Sequence, residues 1–319
     1  MSQFQTIASV LAAIVLFIHG LDGFTHELQR LGADAVRRVV AVATRTRYRG
    51  FFVGALVTAL LQSSSAVSSL TVALVESGAL TFRNSLAVLL GANVGTTTTA
   101  WLVSFKLTGI GAYFIVLGAA ATLGPRRLTV LGRATFYFGF VLFALDLMSA
   151  SLLPFRDSPA LVAMLGASAS IPLAVAAGAV ATALVQSSSV TSGLVIVLTQ
   201  QEAVAPEAAI AAVVGANVGT TVTAMVAALR MGSPARRAAR ANLMFNFAGV
   251  LLLLPWLPRF ARTVLGWADD PAMAVALAHL LFNVGIAGLF LVALRPFERL
   301  LLRMWPADPH EAAQPEEPV

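Results

Sequence analysis

A long segment of this chain occurs twice. Gly54-Ala-Leu-Val-Thr58-Ala-Leu-Leu-Gln62-Ser63-Ser64-Ser65 returns as Gly178-Ala-Val-Ala-Thr182-Ala-Leu-Val-Gln186-Ser187-Ser188-Ser189. Further on, Gly91-Ala-Asn93-Val-Gly95-Thr96-Thr97 returns as Gly215-Ala-Asn217-Val-Gly219-Thr220-Thr221. Gln62 to Gln186 and Asn93 to Asn217 are both steps of 124 positions, so no gap separates the two matches. Upstream, Leu21-Asp22 maps onto Leu145-Asp146 in the same register. The chain must therefore fold as two copies of one unit. That unit is far longer than the roughly 20–50 residues of a solenoid repeat.

Composition says where the two copies reside. Of 319 residues, 58% are hydrophobic and 11% are charged, against about 25% charged in a soluble domain. The apolar residues cluster at 6–24, 109–123, 128–153, 241–257 and 271–294. Each run is near the roughly 20 residues that span a hydrocarbon core. A soluble bundle would lack the polar surface to cover them. The fold class expected is an all-α integral membrane protein, with one repeat over 1–124, the second repeat plus a C-terminal helix over 125–305, and a disordered tail, 306–319, rich in Pro, Glu and Ala. The net charge of +6 comes mainly from Arg in short segments between apolar runs. This is the dress of cytoplasmic membrane loops, so no nucleic-acid partner is expected. The absence of Cys excludes disulfides, zinc–thiolate sites and Cys catalysis. The first apolar run lacks a basic n-region and an A-x-A site, and reads as a retained helix.

The arginines give the relative orientation of the copies. Arg30, Arg37, Arg38, Arg45, Arg47 and Arg49 follow the first apolar run, whereas Arg156 alone follows its counterpart at 128–153. Later the bias reverses: residues 105–116 hold only Lys106, and the matching region holds Arg230, Arg236, Arg237 and Arg240. By the positive-inside rule, equivalent loops lie on opposite sides, and the repeats are inverted. Residues 26–49, 124–127, 229–240 and the tail are expected in the cytoplasm, and 150–171 and 258–270 outside. The N-terminus would be outside and the C-terminus cytoplasmic, in a multi-pass protein of the cell's inner (plasma) membrane. Inverted halves with a site near the midplane are the plan of secondary transporters.

The repeated motifs place polar residues where lipid should be. A Ser run between two apolar half-helices predicts a break, because Ser accepts from the first free N–H groups of a helix. Unpartnered backbone at membrane depth is tolerated only in a cavity or within protein. Such N–H groups, at the positive end of the helix dipole, make an anion site. The expected plan is a re-entrant hairpin around Gln62 and a crossing through Asn93, repeated around Gln186 and Asn217. In the Gly-Ala-Asn-Val-Gly-Thr-Thr segments, glycines are expected to loosen the helix, while Asn and Thr oxygens suit a hard cation. The competing reading is that these small polar residues let helices pack closely. It accounts for a lone Ser, but less well for Gln beside three serines twice in register. Neither motif contains Lys or Arg. A dianion would be held by dipoles, neutral donors and co-bound sodium. Asp22 and Asp146 read as residues near helix ends, either cation ligands or caps. His19, His279, Asn242, Asn246 and Asn283 read as helix–helix hydrogen-bond partners, and Glu76 as interfacial.

The doubled Q-S-S-S blocks, each preceded by Gly-Ala-x-x-Thr-Ala-Leu and followed by Gly-Ala-Asn-Val-Gly-Thr-Thr, resemble the type II sodium–phosphate cotransporter family. The resemblance runs from about Leu16 to Arg240, and weakly on to Phe297. It implies hairpins that meet at a substrate site formed by Gln62, Ser63, Ser64, Ser65, Gln186, Ser187, Ser188 and Ser189. Asn93, Thr96, Thr97, Asn217, Thr220 and Thr221 are the candidate sodium ligands. The function expected is sodium-coupled symport of inorganic phosphate by alternating access, with sodium as coupling ion and no other cofactor. Many bacterial relatives carry a cytosolic regulatory domain after the membrane part. This chain has a short tail instead, so a separate cytosolic regulator joins a homodimer among the protein partners the resemblance leaves open.

Other readings stay open. Arsenate, sulfate or a carboxylate would fit the same donors, and a non-transporting membrane sensor or a channel is compatible with the sequence. A serine-dependent intramembrane hydrolase is disfavoured. The serines are duplicated, neither block has a neighbouring His, and the one Lys is Lys106. A primary pump is disfavoured by the lack of a G-x-x-x-x-G-K-[ST] loop. The chain is expected not to be an enzyme.

Overall fold

The computed structural model describes residues 3–43, 46–105, 109–152 and 170–306. Among them the chain is helical: α1 Gln3–Ala43, α2 Arg47–Leu61, α3 Ser64–Glu76, α4 Phe82–Ser104, α5 Gly111–Thr122, α6 Arg126–Leu152, α7 Ile171–Val185, α8 Ser188–Gln200, α9 Pro206–Ala228, α10 Ser233–Leu253, α11 Leu257–Leu265, α12 Pro271–Val292 and α13 Leu294–Met304. A 3₁₀ turn, Leu254–Trp256, joins α10 to α11. Arg156, Lys106, most of 150–171 and the tail from 307 lie outside the described residues.

Among the described residues, six helical stretches are long and apolar enough to cross a membrane: Ala8–Arg30, Phe82–Ser104, Leu128–Ser151, Pro206–Ala228, Ser233–Leu265 and Pro271–Val292. The protein is a multi-pass membrane protein. The sequence repeat reappears in the elements to the residue: α2, α3 and α4 each recur 124 positions later as α7, α8 and α9. Local chemistry explains the shared boundaries. Thr81 caps α4 by accepting from Asn84 N at 3.3 Å, and Pro206 occupies the first turn of α9, where a missing N–H costs nothing. α4 and α9 are the most buried of the six and form the centre. α2 lies along α4 and α7 along α9, while α1, α5 and α6 form a peripheral group and α12 packs on α4.

Contacts sort the elements onto two ends of the bundle. At one end, Glu76 Oε1 accepts from Gly232 N at 2.7 Å, and Arg83 meets Glu298 at 2.6 Å. There too, buried Arg237 donates to the carbonyls of Trp305 and Pro306 at 2.9 and 3.0 Å, and Arg47 donates to Leu291 O at 3.2 Å. At the other end, Gln200 Nε2 donates to Val103 O at 3.3 Å. So α4 starts at the arginine-rich end and finishes at the other, and α9 runs the opposite way. Equivalent helices that are antiparallel are consistent with inverted repeats.

Three expectations change. α1 does not end near residue 24 but continues to Ala43, so Asp22 sits inside a helix and not near an end. The glycines of the Asn/Thr motifs do not loosen their helices, since α4 and α9 are unbroken through Gly95 and Gly219. These glycines serve close approach instead. A Cβ on Gly91 would collide with Phe51 O, and one on Gly95 with Ala55 O. On Gly215 and Gly219 it would collide with Val175 O and Ala179 O. Thus α2 rests backbone to backbone on α4, and α7 on α9, as small residues permit in membranes. The third change concerns His279. It is buried on α12, and neither ring nitrogen has a hydrogen-bond partner; we have no physical account of this.

Candidate functional site

Each Q-S-S-S block is a helix–turn–helix tip. α2 stops because Gln62 takes the left-handed conformation, φ 53°, while its N–H still bonds Thr58 O. Ser63 then adopts an extended backbone and its hydroxyl accepts from Ala66 N, which starts α3. The second copy repeats this: Gln186 has φ 58°, and the Ser187 hydroxyl accepts from Val190 N. The predicted break is present in both copies. A cap of this kind satisfies the third N–H of the new helix. It leaves the N–H groups of Ser64 and Ser65, and of Ser188 and Ser189, without an intrahelical acceptor.

The two tips meet. Ser65 Oγ donates to the Gln186 carbonyl at 3.2 Å. Ser189 Oγ lies 3.1 Å from Thr99 Oγ1. Between the tips is a cavity of about 550 Å³, lined by all eight Q-S-S-S residues and by one face of α1. Ser64 and Ser188 are both buried, each at 4% exposure. The α1 face brings His19, Asp22, Thr25, His26 and Gln29. His19 had been read as a helix–helix partner; it faces the cavity. Residues 19, 22 and 26 follow the spacing of a single helix face, a signal that was available in the sequence.

The copies are not equivalent in detail. Gln62 is buried and fixed: its Nε2 donates to Thr98 Oγ1 at 2.9 Å and to Ala59 O, and its Oε1 accepts from Thr99 at 2.7 Å. Thr98 and Thr99 were missed by the sequence reading. Gln186 is exposed to the cavity. Its would-be partners differ, because position 222 is Val where position 98 is Thr. The hydroxyl of Thr223, the counterpart of Thr99, is buried without a hydrogen-bond partner.

The six candidate sodium ligands do not line this cavity. They lie in α4 and α9, which pack against the tip helices α8 and α3. Asn93 Nδ2 donates to Asn246 Oδ1 at 3.2 Å, a helix–helix contact of the kind expected of Asn246. Asn217 Nδ2 donates to Val213 O at 3.0 Å. Thr96, Thr97, Thr220 and Thr221 donate to carbonyls of their own helices at 2.7–3.0 Å. With their single protons so committed, the four Thr hydroxyls present only oxygen lone pairs to a further partner, as a hard cation requires. Asp146 accepts from Gly109 N at 2.9 Å, in the turn before α5, and does not line the cavity.

Comparison with known proteins follows the same lines. The family model described as Na+/Pi-cotransporter matches residues 16–150 and 159–266. The protein YqeW of Bacillus subtilis is 30% identical over 303 residues, 94% of this chain and 99% of its own length. The putative inorganic phosphate export protein YjbB of Escherichia coli K12 is 28% identical over 282 residues, 88% of this chain. The chain spans about half of that relative, 52%. The human sodium-dependent phosphate transport protein 2B is 32% identical over 116 residues, 36% of this chain and 17% of its own. No solved structure matches the chain significantly.

Proposed function

Since the chain belongs to the Na+/Pi-cotransporter family, we propose that it carries inorganic phosphate across the plasma membrane, coupled to sodium, by alternating access. The observation that carries this reading is the meeting of the two Ser-capped tips, one from each repeat, across a single cavity. Two helix N-termini aimed at one space supply free N–H groups and two positive dipole ends to an oxyanion. The hydroxyls of Ser64 and Ser188 add donors, and those of Ser63 and Ser187 keep their protons while their oxygens cap α3 and α8. With no Lys or Arg among the described residues that line the cavity, the second negative charge of phosphate calls for a co-bound cation. The Asn93 and Asn217 segments, which gather amide and hydroxyl oxygens on buried helices, are the sites we assign to sodium.

The repeat unit boundaries at 1–124 and 125–305 follow from this reading, as do a cytoplasmic arginine-rich end and an extracellular N-terminus. Alternation then consists of the two hairpins and their partners exchanging roles about the shared cavity. Such a cycle is reversible, so the export named in the YjbB relatives and the sodium dependence named in the mammalian ones are compatible with one mechanism.

Purified protein in liposomes with an inward sodium gradient tests the proposal. It should accumulate phosphate and stop when potassium replaces sodium. Uptake that follows a proton gradient and ignores sodium would reject the coupling ion. No uptake of phosphate, with uptake of sulfate or a carboxylate, would reject the substrate.

A further inference from the structure

The cavity is built by two repeats, yet one of its walls has no repeat counterpart. That wall is the α1 face carrying His19, Asp22 and His26. The equivalent positions on α6 are Phe143, Asp146 and Ala150, and Asp146 is engaged by Gly109 N. The rotation of α1 is fixed by the adjoining face. There, Gly20 lies against Phe140 and Val141, and Gly23 against Tyr137, all on α6. This contact turns residues 19, 22 and 26 toward the tips. His19 lies midway along the apolar span Ala8–Arg30, and His26 lies toward the end that the arginines occupy. Seven residues of helix separate them, about 10 Å along the axis.

We propose that His19 and His26 form a one-sided oxyanion path that connects the paired tips with the arginine-rich end of the molecule. This rests on the reading of the cavity as an anion site. The tips offer backbone N–H and hydroxyl donors, and an imidazole N–H directs a further donor at an oxyanion. Two of them, spaced along one helix face, give a small oxyanion successive partners between the cavity mouth and the serines. Asp22 stands between them. A carboxylate there opposes a bare anion and favours one that travels with a cation, which fits a coupled carrier. Among the described residues the opposite repeat carries no His at the matching positions, so substrate capture differs between the two faces of the membrane.

The test is phosphate binding by purified protein in sodium buffer, read as phosphate-dependent thermal stabilisation. His19→Ala and His26→Ala should each weaken the phosphate constant about tenfold, with the melting temperature in the absence of phosphate unchanged. His19→Gln and His26→Gln, which restore an N–H donor, should recover most of the loss, and Phe143→Ala should have no effect. Single cysteines at 19, 26 and 150 in this Cys-free chain give a second readout. Phosphate should slow reaction of an impermeant thiol reagent at 19 and 26, from the arginine-rich side alone, and not at 150. Wild-type phosphate constants in both alanine variants would overturn the path while leaving phosphate transport intact, and so would protection from either side. Stabilisation by sulfate but not phosphate, lost in the alanine variants, would retain the path and reject phosphate. Stabilisation by no oxyanion would overturn both.

Discussion

At the scale of single residues, identical letters do different work. Gln62 and Gln186 occupy equivalent places and share a left-handed backbone, but one is clamped to Thr98 and Thr99 and the other faces the cavity. Removing Gln62 breaks three side-chain bonds and leaves the buried Thr99 hydroxyl with Ser189 Oγ as its partner. Each lost bond costs about 1 kcal/mol. Gln62→Ala should therefore lower the melting temperature of the detergent-purified protein clearly, whereas Gln186→Ala should leave it nearly unchanged and act on phosphate binding. Equal melting temperatures for the two variants would mean that the clamp contributes nothing. The serine break was legible because four polar residues between apolar half-helices have few uses in lipid. The Gln asymmetry was not, because it depends on which side chains the fold brings beside each Gln. The difference between Thr98 and Val222 was visible but had no meaning until Gln62 was placed beside it.

At the scale of helices, the paired glycines show what a motif cannot say by itself. Gly91-x-x-x-Gly95 is compatible with a loosened helix or with close packing, and only the partner decides. The partner is α2, whose carbonyls occupy the space of the missing side chains. Gly91→Ala should therefore push α4 away from α2, at an overpacking cost of about 1–3 kcal/mol. Gly215→Ala should do the same to α9 and α7. Gly285→Ala, where nothing lies within 4 Å, should be neutral or stabilising, since Ala is the better helix former. Melting temperatures of the three variants check this, and a destabilised Gly285→Ala beside an unaffected Gly91→Ala would refute it. The length of α1 escaped the sequence reading for a related reason. Charged residues after 26 end a hydropathy run but do not end a helix.

At the scale of the whole molecule, the repeat and its register were read from two motifs, and the matching bounds of α2–α4 and α7–α9 agree with them. Charge alone gave the inversion, and antiparallel α4 and α9 are consistent with it. Gly78 and Glu202 test the topology directly. They stand 124 positions apart in equivalent turns with positive φ. Single cysteines there should react with an impermeant reagent from opposite sides of the membrane, residue 78 from the cytoplasm. Labelling from one side would make the repeats parallel. The central claim is that both repeats build one phosphate site. A phosphate titration of the purified protein in sodium tests it, comparing the wild type with Ser64→Ala and Ser188→Ala. Losing one hydrogen bond to a charged ligand costs about 1.5–3 kcal/mol, so each variant should bind phosphate about tenfold to a hundredfold more weakly. If the alanine variant of one repeat abolished binding while that of the other bound as wild type, the shared site would be wrong.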